Sequence, residues 1–484
     1  TTDAGSVGAP LTSGPGARFL ILAAVWCGLL AGLVEVAVRA TQKFYLGQAV
    51  GAGPDFFWMT PLANTVVLLA AGLALAAAAR LRPTLVSARL AVFVFSLPVF
   101  LNLLLMYPRL QHYAAALLAT GLAVQSARLA ATRQRGFRQL VGRSLPLMLL
   151  LVVLLAATAA GWRWTAERRA LAQLPAAPAG APNVLFITLD TVRAQNLSLY
   201  GYGRETSPRL NQLAARGVTF ERALSTAPWT LPSHASMFTG RFPHEMNADW
   251  DRALGDEHPT LAEAFAARGY LTAGFVANTG YCSHEHGLDR GFAHYEDFPR
   301  SLGQLASSST LVRTVADHFR VRRLVRNDEH LNRQPADRIN DRFLRWLAGR
   351  EEGRPFFAFL NYYDAHDPYL PPAPYDRKFG PGRAEGKHSP LHHFVWDPAA
   401  RNRKLSPQEV RTEIDAYDGA ISYLDHQLGL LFDELGRRGL LENTLVVVTS
   451  DHGEEFGEHG GAYHGTSLYE EQVRVPLRIA IVAG

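Results

Sequence analysis

Two acidic groups and an imidazole stand where apolar runs of strand length end. Asp190 directly follows LFITL, and Asp451 with His452 directly follows VVVTS. Between them in the chain, Trp229-Thr230-Leu-Pro232-Ser-His234 precedes a helix-like ASMFTGR stretch, which puts the Thr230 hydroxyl at a helix start. Carboxylates and an imidazole grouped at strand ends suit a divalent metal such as Zn²⁺ or Mn²⁺ better than Ca²⁺, which prefers oxygen ligands alone. A hydroxyl at a helix N-terminus sits in positive potential, where an alkoxide or bound oxyanion is favoured. Each residue alone has an ordinary alternative, since Asp closes many turns and Thr caps many helices. Chemistry requires a fold that brings the three places together.

The second half of the chain has the pattern of such a fold. Asn183–Asp190, Tyr270–Ala277, Phe356–Leu360 and Thr444–Ser450 are continuous apolar runs of strand length, as expected for parallel strands covered on both faces. Thr260-Leu-Ala-Glu263 and Ser406-Pro-Gln-Glu409 are capping-box helix starts, the second with Pro407 at the first helical position. The helix after Ser406 carries Val410, Ile414, Tyr417, Ile421, Leu424, Leu428 and Leu431 on one face, with Gly436 as its expected terminator. Alternating strands and helices predict an α/β domain with a mainly parallel sheet, whose sites form beyond the carboxyl ends of the strands.

The first half differs. Five candidate membrane spans are expected at Phe19–Val38, Phe57–Ala79, Leu90–Met106, Tyr113–Ala131 and Leu145–Trp162, each near the roughly 20 apolar residues that cross a bilayer. The fold class is therefore α/β, preceded by an all-α transmembrane region of about five helices. The expected divisions are a membrane anchor over 1–162, an extended Ala- and Pro-rich linker over 163–182, and a soluble domain over 183–484. Arg80, Arg82 and Arg89 lie in one loop and Arg128, Arg133, Arg135, Arg138 and Arg143 in another, against only Arg39, Lys43 and Arg109 in the opposite loops. The positive-inside bias then makes the N-terminus cytoplasmic and everything after Trp162 extracytoplasmic, as in a bacterial-type inner-membrane protein. An odd number of spans is essential to that orientation. Glu35, alone inside a span, raises the alternative of a transporter with an accessory domain.

Composition closes off several classes. With 484 residues, 48% hydrophobic, the chain is not mainly disordered, and 2 cysteines among 41 glycines and 28 prolines exclude disulfide-dense and collagen-like proteins. The net charge of +5 is spread over scattered arginines rather than one basic element, so no nucleic acid partner is expected. The lipid bilayer is the expected partner of the first half.

From about Pro182 to Leu477 the chain resembles the sulfatase family of the alkaline-phosphatase superfamily. The resemblance rests on PNVLFITLDTVR, LSLYGYGRETSPRLNQLAARGVTFERA, APWTLPSHASMFTGRFPHE, PTLAEAFAARGYLTAGFVAN, YDAHDPY, YDGAISYLDHQLGLL, TSDHGEEFGEHG and HGTSLYEEQVRVPL, in the family's order. Carried over residue by residue, it implies Asp190, Asp451 and His452 as ligands of a divalent metal (Zn, Mn or Ca). It makes Thr230 the nucleophile and a further metal contact, with His366, His464 and Arg193 as catalytic partners at the ester oxyanion or leaving group. His234 and Asn278 are expected to bind substrate.

Departures from the family pattern are equally informative. The oxidisable Cys or Ser of the x-Pro-x-Arg motif is Thr230, and its Arg is His234, so no formylglycine is expected. Thr191 replaces the second Asp of an Asp-Asp pair, Asn361 stands where relatives often have His, and His464 where many have Lys. The chain is also expected to lack the family's smaller C-terminal subdomain, and Pro371–Leu405 is a candidate substrate-covering loop. The resemblance implies a membrane-anchored, metal-dependent hydrolase or transferase acting on a sulfate or phosphate ester. The alternatives are a phosphoethanolamine- or glycerophosphate-type transferase modifying envelope glycans or lipids, and a catalytically silent binding or scaffold protein.

Overall fold

The computed structural model describes residues 15–48, 50–250, 252–317, 334–382 and 405–481. Among them the chain forms two compact units. The first holds helices α1 (Ala17–Phe44), α2 (Phe56–Leu81), α3 (Ala88–Leu105) and α4 (His112–Thr132), with the first part of α5 (Gln134–Ala172). Residues 300–317, with two short helices at Leu302–Ser307 and Thr310–Asp317, belong to this unit as well.

Four of these helices, α1, α2, α3 and α5, are long and apolar enough to cross a membrane. The fourth in sequence, α4, occupies the expected Tyr113–Ala131 span, but Gln125, Ser126 and Arg128 dilute its apolar character. Its buried residues Ala115, Ala119, Ala123 and Ala127 recur every fourth position, so one smooth face packs within the helices. Gly28 and Gly32 of α1 lie against the backbone of α2 at Thr65 and Pro61, where any Cβ would collide. Small residues four apart let two backbones approach closely without hydrophobic driving force.

The second unit is built on a seven-stranded sheet of order β2-β9-β6-β1-β5-β3-β4. Its strands are β1 (Asn183–Leu189), β2 (Gly217–Leu224), β3 (Leu271–Val276), β4 (His294–Glu296), β5 (Phe356–Tyr362), β6 (Thr444–Thr449) and β9 (Arg474–Ile481). From β6 through β4 all pairings are parallel, while β9 runs antiparallel to both β6 and β2. Strands β1, β3 and β5 are buried along their whole length, which is why they read as uninterrupted apolar runs. Both expected capping boxes form, at Thr260 and at Ser406. The helix after Ser406 runs from Pro407 to Arg437 and passes through Gly436; the left-handed glycine beyond its end is Gly439.

Residues 163–182 are partly helical rather than extended, because α5 runs on through Ala172. The sequence TAERRALA consists largely of strong helix formers and gives the helix no reason to stop. Most of the candidate covering loop, residues 383–404, lies outside the described residues.

Candidate active site

Strand β1 is central, flanked by β5 and β6 in parallel register, so the carboxyl ends of the three strands meet at one edge of the sheet. Asp190 follows β1 and Asp451-His452 follow β6. All three are fully buried, and one ligand atom from each lies within 4.8 Å of the others. Thr230 opens helix α7 (Thr230–Thr239), whose Trp229 N-cap residue is extended. The Thr230 Oγ1 lies 3.2 Å from His452 Nε2. Residues remote in sequence, Asp190, Thr230, Asp451 and His452, thus form one cluster.

The tautomer of His452 follows from its neighbours. Nδ1 faces the Gly453 carbonyl at 3.0 Å, which only accepts, so Nδ1 carries the proton and Nε2 presents a lone pair. That lone pair faces Asp451 Oδ2 at 3.4 Å. Asp451 Oδ2 receives no hydrogen bond. Acceptor against acceptor in a buried site is unfavourable unless a cation lies between them. Two carboxylates, an imidazole nitrogen and a hydroxyl fit a divalent ion of mixed N/O preference.

A surrounding shell holds these groups. The Asp451 carbonyl accepts from both Ser225 Oγ and Ser233 Oγ, and Asp451 Oδ1 accepts from the His452 and Thr191 amides at 2.9 and 3.2 Å. Thr191 adopts φ 62°, a conformation that a β-branched residue rarely accepts. Its amide on Asp451, its hydroxyl toward the Asp190 and Ala365 carbonyls, and its carbonyl under the Tyr417 hydroxyl fix it there. Thr191 therefore orients the cluster through its backbone where a carboxylate was expected in relatives.

His464 and His366 join the site as rings. His464 lies 4.3 Å from His452 between ring centroids, and His366 meets His464 edge to face at 5.0 Å. His464 Nδ1 is 3.0 Å from Glu454 Oε1. Burial pushes the imidazole well below its ordinary pKa and the carboxyl well above its own, so it favours the uncharged form of each. A Cβ on Gly465 would strike the Trp229 ring, which packs 5.3 Å from His464. The glycine, at φ 78°, is what lets the His464 segment close over Thr230's helix.

Three expected residues take other places. His234 has Nδ1 on the Thr230 carbonyl at 2.8 Å and Nε2 against Thr188 Oγ1 at 3.3 Å. Burial lowers its pKa, partly opposed by Asp451, and it packs on Phe359 as a neutral brace for α7 rather than reaching outward for substrate. Asn278 donates to Asp190 Oδ2 at 2.8 Å while its Oδ1 accepts from Gly280 and Tyr281 amides. This contact orients the Asp190 carboxylate. Arg193 is spent on Asn196, the Glu454 carbonyl and Glu458, pinning the segment after His452.

Glu454 is not singled out in the sequence, and Asn361 stands out there only as a departure from the family's His. Asn361 Oδ1 accepts from the Ala277 and Asn278 amides and so sets the Asn278 contact. Glu454 lies within TSDHGEE, and its position two residues past a ligand histidine was the signal available.

The second unit is similar to known proteins. The sulfatase family model matches residues 182–480. An arylsulfatase from Clostridium perfringens is 25% identical over 344 residues, covering 62% of this chain and 68% of its own. A multifunctional alkaline phosphatase superfamily protein from Trinickia caryophylli is 27% identical over 350 residues, covering 61% and 68%. Among solved structures, the soluble domain of lipooligosaccharide phosphoethanolamine transferase A from Neisseria meningitidis aligns with a TM-score of 0.43 at 19% identity, over 64% of this chain and 80% of that one. The chain belongs to the sulfatase family and is an enzyme of the sulfuric or phosphoric ester hydrolase or transferase type.

Proposed function

We propose that this protein is a membrane-anchored, metal-dependent enzyme that uses Thr230 as a nucleophile on a phosphate-type ester outside the cytoplasm. The observation that carries the reading is the placement of Thr230 Oγ1, at the start of a ten-residue helix and 3.2 Å from His452 Nε2, beside buried Asp190 and Asp451. Asp190, Asp451, His452 and the Thr230 hydroxyl would hold the divalent ion, which supplies charge stabilisation to the ester oxyanion and lowers the pKa of a coordinated hydroxyl.

Thr230 Oγ1 gives up its proton to solvent and forms the new bond to phosphorus as the bond to the leaving oxygen breaks, and the positive end of α7 favours the developing negative charge. His366 and His464 stand beside the cluster as the groups that hold the proton for the leaving oxygen. The second half follows from threonine chemistry. A formylglycine hydrate sheds sulfate by breaking its own carbon–oxygen bond, because its second hydroxyl drives elimination. Threonine has no second hydroxyl on that carbon. The group on Thr230 leaves only by in-line attack of water or of an acceptor alcohol on its central atom, and the Oγ1 recovers a proton. This route suits a phosphothreonine intermediate and permits transfer to an envelope glycan or lipid as readily as hydrolysis.

Intact mass spectrometry of protein with defined metal content, after exposure to matched aryl phosphodiester, phosphomonoester and sulfate ester, tests the reading. The expected result is a phosphoryl-type adduct on the peptide containing Thr230 and its absence in Thr230→Ala. Near-normal turnover by Thr230→Ala would remove the nucleophile. A sulfate ester preferred by more than about tenfold, or about 1.4 kcal/mol of transition-state stabilisation, would remove the phosphoryl preference.

A further inference from the structure

A carboxylate inside an apolar helix is costly unless its acceptor positions are filled, and Glu35 of α1 has them filled from an unexpected source. It is fully buried. On Oε1 it accepts from Arg39 Nη2 at 2.6 Å, Thr310 Oγ1 at 2.6 Å and the Thr310 amide at 2.9 Å. On Oε2 it accepts from Asn64 of α2 at 2.9 Å and Asn102 of α3 at 2.8 Å. A carboxylate offers about four lone-pair sites, so these donors leave little room for a mobile proton or a transported ion. The transporter alternative loses its basis.

The same segment is fastened at further points. Asn102 Oδ1 accepts from the Leu311 amide at 2.7 Å, Thr60 Oγ1 donates to the Ser308 carbonyl at 3.1 Å, and Arg300 pairs with Asp55 at 3.0 Å. The contacts fall at the end of α1, the start of α2 and the end of α3, which share one end of the helical unit. Yet the chain on either side of this segment, up to Pro299 and again by Gln334, belongs to the catalytic unit. There Gln334 Nε2 donates to both the Val276 and Asp297 carbonyls, at 3.0 and 2.6 Å, so the excursion starts and returns at one pinned place.

We propose that residues 300–317 are a second, non-covalent attachment of the catalytic unit to its membrane anchor, keyed by the Glu35 carboxylate. The covalent connection through α5 is then one of two holds. Removing Glu35 takes the charged acceptor from Arg39, Thr310, Asn64 and Asn102 together, and loss of one partner from a buried charged network is strongly unfavourable. Thr310→Val removes only one hydroxyl from the segment and leaves α1, α2 and α3 as they are.

The test separates the two holds. A protease recognition sequence is inserted after Gly180 in the full chain, where an added Cβ meets nothing within 4 Å. Membranes are cleaved to completion and washed at high salt, which screens exposed ion pairs but not buried ones. The fragment after the cut is expected to stay with the membranes in the parent. Glu35→Ala and Thr310→Val should each raise the released fraction, by about tenfold or more for Glu35→Ala. His294→Ala, which removes the contact of Glu167 on the other fragment, should leave retention unchanged. Release from the parent on cleavage, or full retention in both Glu35→Ala and Thr310→Val, overturns the proposal. Failure of Thr230 chemistry would not move this readout.

Discussion

Asn278 Nδ2 meets Asp190 Oδ2 at 2.8 Å, and the residue that makes this contact is itself fixed through three backbone N–H groups: its own, which donates to Asn361 Oδ1, and those of Gly280 and Tyr281. Two of those groups, of Gly280 and Tyr281, bind its side-chain oxygen, which leaves the NH₂ group no orientation but toward Asp190. Replacing Asn278 by Ala should therefore weaken metal binding by about 10- to 100-fold, the usual loss when an outer partner of a ligand is removed. Isothermal titration of metal into stripped protein measures it. Unchanged affinity would return Asn278 to the substrate side of the site.

The cluster should also fail as a unit. Asp451→Ala removes a ligand oxygen and the acceptor of the Thr191 and His452 amides together. Metal content and turnover are expected to fall in parallel, since groups that act together are not additive. Elemental analysis beside rate measurement checks this, and full occupancy at near-normal rate would discard the metal assignment.

A pH effect is expected away from the site. Burial alone would depress His294, but its hydrogen bonds to Glu167 at 3.1 Å and Glu296 at 2.9 Å outweigh it, and its pKa rises to about 9. The folded value exceeds the unfolded value of about 6.5, so the stabilisation is complete below that pH and is lost as pH rises through 9. With the ring partly open to water, the contribution is about 1–2 kcal/mol at most. The melting temperature of His294→Gln should trail the parent clearly at pH 6 and converge with it near pH 10. A gap that stays constant with pH would show that packing, not charge, is what the histidine supplies.

Orientation in the membrane can be tested by labelling. The contacts of Arg300–Leu311 lie at the end of the bundle holding the α1–α2 and α3–α4 loops, so the Arg-rich loops at 80–89 and 128–143 lie at the opposite end. Single cysteines in those arginine loops should resist an impermeant thiol reagent in intact cells, while one near Glu167 should react. The native Cys27 and Cys282 are buried and give little background. Labelling of the arginine loops alone would invert the proposed orientation.

What could be read from the sequence depended on how far each signal's cause extended along the chain. Strands β1, β3, β5 and β6 were visible because burial on both faces writes an apolar run. Strands β2 and β9 were not, since β2 is mostly exposed and β9 carries Pro476 and the charged Arg474 and Arg478. Asp190 and Asp451 stood out by ending such runs abruptly. The tasks of Asn278 and Glu454 are set by partners 88 and 10 residues away rather than by their immediate neighbours. His234 was drawn to the substrate by its place in the motif, whereas a local bond to the carbonyl four residues back claims its ring. The attachment at Thr310 was invisible for the same reason at larger scale: its partner Glu35 is 275 residues distant.

The burial of Asp190 and Asp451 has a thermodynamic side that concerns folding rather than catalysis. The folded chain buries two carboxyl groups that the unfolded chain would leave in water, and burial of such groups is costly unless they are paired. A divalent ion that binds only the folded form shifts the equilibrium toward it, by about 2.7 kcal/mol at a concentration one hundred times its dissociation constant. Stabilities of folded domains are themselves only about 5–15 kcal/mol. On the proposed metal assignment, the amount of folded enzyme should track the supply of divalent cation in the compartment where the catalytic unit folds.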